Sequence, residues 1–224
     1  MTQRTDDALF AVTIARPWLV AAFGRPQAML SWAMEKPGFR EARRVAWLEV
    51  RNADLPQEVD AFALLKGRLA DEGLGDAVAM MTSRDVRRAH VGEAAFGDVV
   101  ARSLATVGLS NAARVGEAPG PGHIGTINLL TAVSTPLSQA ALVEALSIAI
   151  EARTAAVMDL GWHVAGGVAT GTGTDCVVIA APAEEGEGAR FAGLHTDIGA
   201  AIGAATYRAI SAGGREWLAE REAG

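Results

Sequence analysis

The sequence predicts a single α/β domain, a mixed sheet flanked by helices, and three observations support that class. Short apolar runs, among them Ala77–Met81, Val99–Val107 and Cys176–Ala181, are bounded by glycine, proline or polar breaks, as buried strands require. Two long segments, Ser138–Leu160 and Thr196–Ile210, show helical spacing behind a capping hydroxyl. The chain has 224 residues, 50% of them apolar and only 5% aromatic, enough for one sizeable core packed by Ala, Val and Leu.

After a polar tail over about residues 1–7, Leu9–Ala15 and Trp18–Phe23 read as short strands separated by Arg16-Pro17. Gly24-Arg25-Pro26 is a turn signal, and Ala28–Ala33 a third strand. Arg43–Val50 alternates, with Val45, Trp47 and Glu49 facing one way and Ala46, Leu48 and Val50 the other. Pro56 opens a helix to about Ala70, with Val59, Phe62, Ala63 and Leu69 as its apolar stripe and Gly73 just past its end. Ala77–Met81 is a wholly apolar strand. Thr82-Ser83-Arg84-Asp85 has the pattern of an N-cap and predicts a short helix over Arg84–Ala89, whose Arg84, Arg87 and Arg88 are read first as a solvated face and second as a grip on an anionic or amide-bearing ligand. Val99–Val107 and Gly125–Val133 are the strongest strand candidates.

Ser138 caps the longest helix, closed by Gly161, with Leu142, Leu146, Ala149, Ile150 and Val157 on its apolar stripe. Glu144, Ser147, Glu151 and Thr154 recur at spacings of three and four and share a polar stripe. Cys176–Ala181 forms a buried strand, and Cys176 reads as a small apolar residue. Thr196 caps the last helix, where Gly199 and Gly203 predict a close helix contact.

Charge narrows the function classes. The net charge is −6 and the pI near 5.3. Basic and acidic residues balance through Ala112, and the acidic excess lies wholly beyond it. No broad basic surface is available for nucleic acid. One cysteine excludes an intrachain disulfide framework and a multi-cysteine zinc site. No histidine pair stands at helical ligand spacing; no metal ligand and no cofactor is assigned, and a metal requirement stays open. MTQRTDD is too polar for a signal peptide, and no apolar run is long enough to span a bilayer. A cytoplasmic location is expected, with self-association left open.

Two polar inserts hold the chemistry. The first lies between Val107 and Gly125 and contains Ser110, Asn111, Arg114 and His123 around Pro119-Gly120-Pro121-Gly122. The second, Gly166–Asp175, offers backbone N–H groups, Thr170, Thr172 and Thr174 hydroxyls and the Asp175 carboxylate. That inventory holds an oxyanion or a polar ligand. Neither insert ends in the Lys-Ser/Thr of a phosphate loop, and no G-x-S-x-G elbow occurs. Amide hydrolysis needs an attacking group, a proton donor for the leaving amine and oxyanion stabilisation. Glu151, Asp175 and His195 are the candidates for proton transfer. Ser110, Asn111, Asn128, Thr172 and Thr174 are the candidates for substrate hydrogen bonds. Water attack and a Ser/Thr nucleophile both remain open.

At these residues the chain resembles the adenosylcobinamide amidohydrolase family. The matching stretches are Asp76–Val91, Ala105–Gly116, Gly125–Leu146, Glu151–Gly161, Ala169–Pro182 and Gly193–Ile210, in family order. The resemblance implies hydrolysis of the amide joining aminopropanol, or its nucleotide-loop extension, to the corrin ring, giving adenosylcobyric acid for salvage. A corrinoid small molecule is the implied partner, with Asn111, Asn128, Glu151, Asp175 and His195 around its side chain. The amino-terminal third departs from the family pattern. Lys36 and Pro37 stand where the family carries Asn and Gly, and Trp47 stands near a later Asn. Lys36 and Trp47 are therefore expected at the substrate rim. A corrinoid-binding protein without turnover and an amidohydrolase of another substrate are the alternatives.

Overall fold

The computed structural model describes residues 9–56, 58–118, 125–184 and 186–223. Along the chain come β1 (Ala11–Ala15), β2 (Trp18–Ser31), β3 (Gly38–Glu49), α1 (Ala61–Asp71) and β4 (Val78–Thr82). Next are β5 (His90–Phe96), β6 (Val99–Val107), β7 (Ala112–Ala113), β8 (Ile127–Val133) and α2 (Gln139–Asp159). The short strands β9 (His163–Val164), β10 (Gly167–Val168) and β11 (Gly171–Thr172) lead to β12 (Cys176–Pro182) and α3 (Asp197–Glu222). The expected mixed sheet flanked by helices is present.

Eight strands form one sheet in the order β4-β3-β2-β12-β8-β6-β5, with β1 paired to β2. The β3–β4 and β12–β8 pairs are parallel and the other sheet pairs antiparallel. Two small ladders stand apart from it, β9 with β10 and β7 with β11.

The sheet curls on itself. Asn128, on β8, donates from Nδ2 to the Met81 carbonyl of β4 at 2.6 Å, although three strands separate β8 from β4 in the hydrogen-bonded order. Residues of both halves, including Val45, Trp47, Met80, Leu104, Leu130 and Val178, share the inner core. α2 and α3 cover the outer face of β6, β8 and β12 through Ala101, Ala105, Leu129, Val177 and Ile179. α1 covers the outer face of β3 and β4, where Leu65 and Leu69 meet Ala46, Leu48 and Ala79. The alternation predicted for Arg43–Val50 thus buries both faces of β3 in different cores.

Several boundaries differ from the sequence expectation for identifiable reasons. Trp18–Phe23 and Ala28–Ala33 belong to one 14-residue strand, and the Gly24–Pro26 break is a register shift against β3 instead of a turn. α1 begins after Asp60, whose carboxylate accepts from the Phe62 and Ala63 N–H groups. That phase buries Leu65 and Leu69 and leaves Phe62 61% exposed. The Arg84–Ala89 helix is only a 3₁₀ turn over Val86–Arg88, capped by Asp85. Its arginines face carboxylates: Arg84 and Arg88 pair with Glu216 and Glu220, and Arg87 with Asp85. Those α3 carboxylates explain why that helix runs to Glu222, past the predicted end at Ile210. The strand β5 was not expected, because Gly92 and Glu93 interrupt its apolar alternation.

Gly92 is what lets α3 reach the sheet. A Cβ there would overlap the Ala205 carbonyl oxygen and lie 2.8 Å from the Ala209 nitrogen, both on the helix backbone. Overpacking against backbone typically costs about 1–3 kcal/mol. Gly92→Ala is expected to lose about 2 kcal/mol of stability, measured by urea unfolding with an unchanged m-value.

Candidate functional site

β6, β8 and β12 bring both polar inserts to one end of the sheet. β7 and β11 tie them together, with Ala113 opposite Gly171 and Ala112 opposite Thr172. Gly125 then packs against the Ser110 and Asn111 backbones, where a Cβ would stand 2.9 and 2.6 Å from their nitrogens.

Asp175 is the electrostatic centre of this end. Its side chain is 7% exposed and pairs with Arg153 of α2, itself 12% exposed. It also accepts from the Thr172 hydroxyl, the Thr172 N–H at 3.2 Å and the Ile127 N–H at 3.1 Å. Burial is the strongest influence on the carboxyl and moves it above its ordinary range, opposed by Arg153 and by the Thr172 and Ile127 hydrogen bonds. Gly171 makes room for the guanidinium, since a Cβ there would collide with Arg153 Nη1. Asp175 therefore ties α2, the second insert and the start of β8 into one unit.

Two clefts flank this segment. The first, of about 350 Å³, has apolar walls from Met34, Val50, Leu55, Ala61, Phe62 and Met81. Its polar end is formed by Thr82, Ser83, Thr126 and Thr174, beside Cys176. The second, of about 430 Å³, is lined by Arg114, Arg153, Thr154, Thr170, Thr172 and Asp175, among others. Successive residues of an extended segment point to opposite sides. Thr174 and Cys176 accordingly face the first cleft and Asp175 the second.

The hydroxyls of the first cleft are mostly committed to the protein. Thr174 donates to the Gly125 carbonyl at 2.9 Å, and Thr126 reaches the Thr174 carbonyl at 2.7 Å and Asn128 Oδ1 at 3.2 Å. Thr82 Oγ1 accepts from the Arg84 N–H at 3.0 Å. Ser83 is exposed and lines the cleft, without a hydrogen bond from its hydroxyl to any described residue. Burial, then the Asp175 charge, pushes the Cys176 thiol up to about 11, which keeps it protonated near neutrality.

The sequence-selected residues fall into two groups. Ser110, Asn111, Asn128, Thr172, Thr174 and Asp175 gather at this end. The Asn111 backbone carbonyl accepts from the Gly173 N–H at 3.2 Å, while Asn128 is wholly buried between Thr126 and Met81. Glu151, His195, Lys36 and Trp47 line neither cleft. Glu151 is exposed on α2 and accepts from Ser147 at 3.2 Å. His195 precedes the Thr196 cap at the opposite end of the sheet, where Asp197 abuts the Gly97 turn between β5 and β6. The length of β8 sets that separation at about 20 Å, so Glu151, Asp175 and His195 do not form one proton-transfer group. Trp47 is a core residue whose indole N–H is buried without a partner among the described residues. His123 and Pro119–Gly122 lie outside the described residues.

Sequence reasoning missed Arg153, Ser83 as a wall residue, and the apolar Met34–Leu55–Phe62 surface. Arg153 left a signal, being the only cation in α2.

Together the fold and site define a mixed α/β chain with an apolar cleft closed at one end by hydroxyls. The chain belongs to the adenosylcobinamide amidohydrolase family, whose family model matches residues 3–222. It is similar to an adenosylcobinamide amidohydrolase of Halobacterium salinarum, 33% identical over 156 residues. That match spans 65% of this chain and 63% of the relative's length. Among solved structures, a protein from Pyrococcus horikoshii OT3 aligns with a TM-score of 0.45 at 12% identity, over 91% of this chain and 82% of that one. A Burkholderia sp. β-aminopeptidase aligns with a TM-score of 0.43 at 11% identity, over 90% and 78%.

Lys36 sits in the β2–β3 connection with φ 57°, the only described non-glycine residue at positive φ. Its charge acts on Asp76 and not on either cleft. Left-handed backbone costs an ordinary L-residue about 1–2 kcal/mol, a penalty glycine escapes and asparagine reduces. Lys36→Gly is expected to raise stability by about 1 kcal/mol, read as a higher urea midpoint.

Proposed function

We propose that the chain hydrolyses the amide joining the aminopropanol arm of adenosylcobinamide to the corrin ring, releasing adenosylcobyric acid. Family membership sets the substrate class, and the observation that carries the site assignment is the first cleft. Its apolar walls suit one side of a macrocycle, and its hydroxyl end suits a linear amide arm. Water adds its hydroxyl to the acyl carbon as the C–N bond breaks, and the leaving amine takes up a proton. Thr82 and Ser83 are the wall hydroxyls that donate to no described residue, and Ser83, the exposed one, donates to the amide oxygen as negative charge develops on it. Thr126 and Thr174 are occupied internally and shape the end of the cleft, while Asp175 and Arg153 hold its back wall.

A second reading, corrinoid binding without turnover, is favoured by one observation. Among the described residues, the lining of the first cleft contains no carboxylate or imidazole, and its one titratable group is the protonated Cys176 thiol. Incubation with adenosylcobinamide separates the two by the mass of the product. Hydrolysis yields adenosylcobyric acid, whereas saturable binding with an intact amide supports the second reading. Loss of one oxyanion donor costs about 10²–10³ in kcat. Ser83→Ala is therefore expected to lower kcat about 10²-fold with little change in corrinoid affinity, followed by steady-state kinetics and equilibrium binding.

A further inference from the structure

The second cleft has a charge pattern that the amide chemistry does not use. Its charged lining is Arg114, Arg153 and Asp175, two guanidiniums against one carboxylate. Arg153 is neutralised by Asp175, and its Nε is buried without a partner among the described residues. Arg114 is half-buried and donates from Nη1 to the Val168 carbonyl at 2.8 Å, a contact that orients the guanidinium without neutralising it. No carboxylate forms an ion pair with Arg114 among the described residues. The acid nearest in sequence, Glu117, has its carboxyl at Gly166, next to the Gly167 that Arg114 Nη1 approaches, but forms no ion pair with it. Thr154 and Thr170 add hydroxyls to the same wall.

We propose that this cleft binds one anionic oxygen group, a phosphate, with Arg114 as its principal cation and Arg153 and Thr154 as further donors. A guanidinium presents a planar fork that matches phosphate oxygens, and Arg114 keeps most of its N–H groups unassigned. A half-buried guanidinium without an ion pair among the described residues supplies the positive charge that one anion needs. The phosphate has two sources with the same chemistry. It is either free in solution or attached to the amide arm of the substrate. Only the second source rests on the function proposed above.

Titrating the isotope-labelled protein with inorganic phosphate at constant ionic strength tests the site without any turnover. Saturable shifts at the Gly171 and Gly173 amides are expected, with sulfate competing. Arg114→Gln should weaken binding at least about tenfold while the thermal midpoint stays unchanged. Absence of saturable shifts up to about 50 mM phosphate, far above a millimolar site, overturns the proposal, as does equal binding by Arg114→Gln. A second comparison identifies the source, using a corrinoid with a phosphate-terminated amide arm against one with a bare arm. An attached phosphate predicts a lower KM for the phosphorylated arm, and a preference that falls about tenfold in Arg114→Gln. Phosphate shifts without that preference assign the site to free phosphate. If neither corrinoid is hydrolysed, the amidohydrolase reading fails, while the phosphate titration still decides the site.

Discussion

The ion pair between Arg153 and Asp175 is the interaction on which this end of the molecule depends. Both side chains are nearly buried, and a buried pair recovers its desolvation cost only when geometry and extra hydrogen bonds are good. Asp175 meets that condition by accepting from Thr172 twice and from Ile127 once, in addition to Arg153. Its partners come from α2, the second insert and the start of β8. Removing either charge leaves the other buried and uncompensated, the situation in which such pairs cost most. Gly171 belongs to the same unit, because any side chain there would displace the guanidinium.

The rest of the site follows from strand geometry. With Asp175 fixed on the α2 side, its neighbours Thr174 and Cys176 turn toward the curled half of the sheet. The curl itself is held by Asn128, which spans from β8 to the Met81 carbonyl. One wall of the first cleft is therefore electrostatic in origin, and the other is the packed face of β4 and α1. Cys176 lies between these influences. Burial and the Asp175 charge keep it a thiol near pH 7, so a group placed in the wall remains chemically quiet.

Much of the fold was legible because its signals are local. The apolar runs of β4, β6, β8 and β12, the Ser138 and Thr196 caps and the Gly161 stop all appear in the structure. The misplaced boundaries share a cause, which is tertiary contact overriding local pattern. α3 extends because Glu216 and Glu220 meet Arg84 and Arg88, and β5 forms because Gly92 accommodates the helix. The candidate site was legible only in part. Asn111, Asn128, Thr172, Thr174 and Asp175 converge because two inserts flank adjacent strands. Glu151 was selected from the polar stripe of α2 and His195 from its place before the Thr196 cap, with the family resemblance behind both, and neither signal says which end of a helix faces which end of a sheet. Arg153, although the only cation of α2, was passed over for the complementary reason. An arginine on a helix reads as solvated until a buried carboxylate is placed beside it.

A double-mutant cycle on Arg153 and Asp175 tests this account most directly, using Arg153→Met, Asp175→Asn and the pair, each followed by chemical unfolding. Each single substitution is expected to cost about 3–5 kcal/mol, as for other broken buried pairs. The double substitution should cost less than their sum by at least about 1 kcal/mol, within the range for residues in contact. Single costs below about 0.5 kcal/mol that simply add would show independent sites, and would contradict the central role given to the pair.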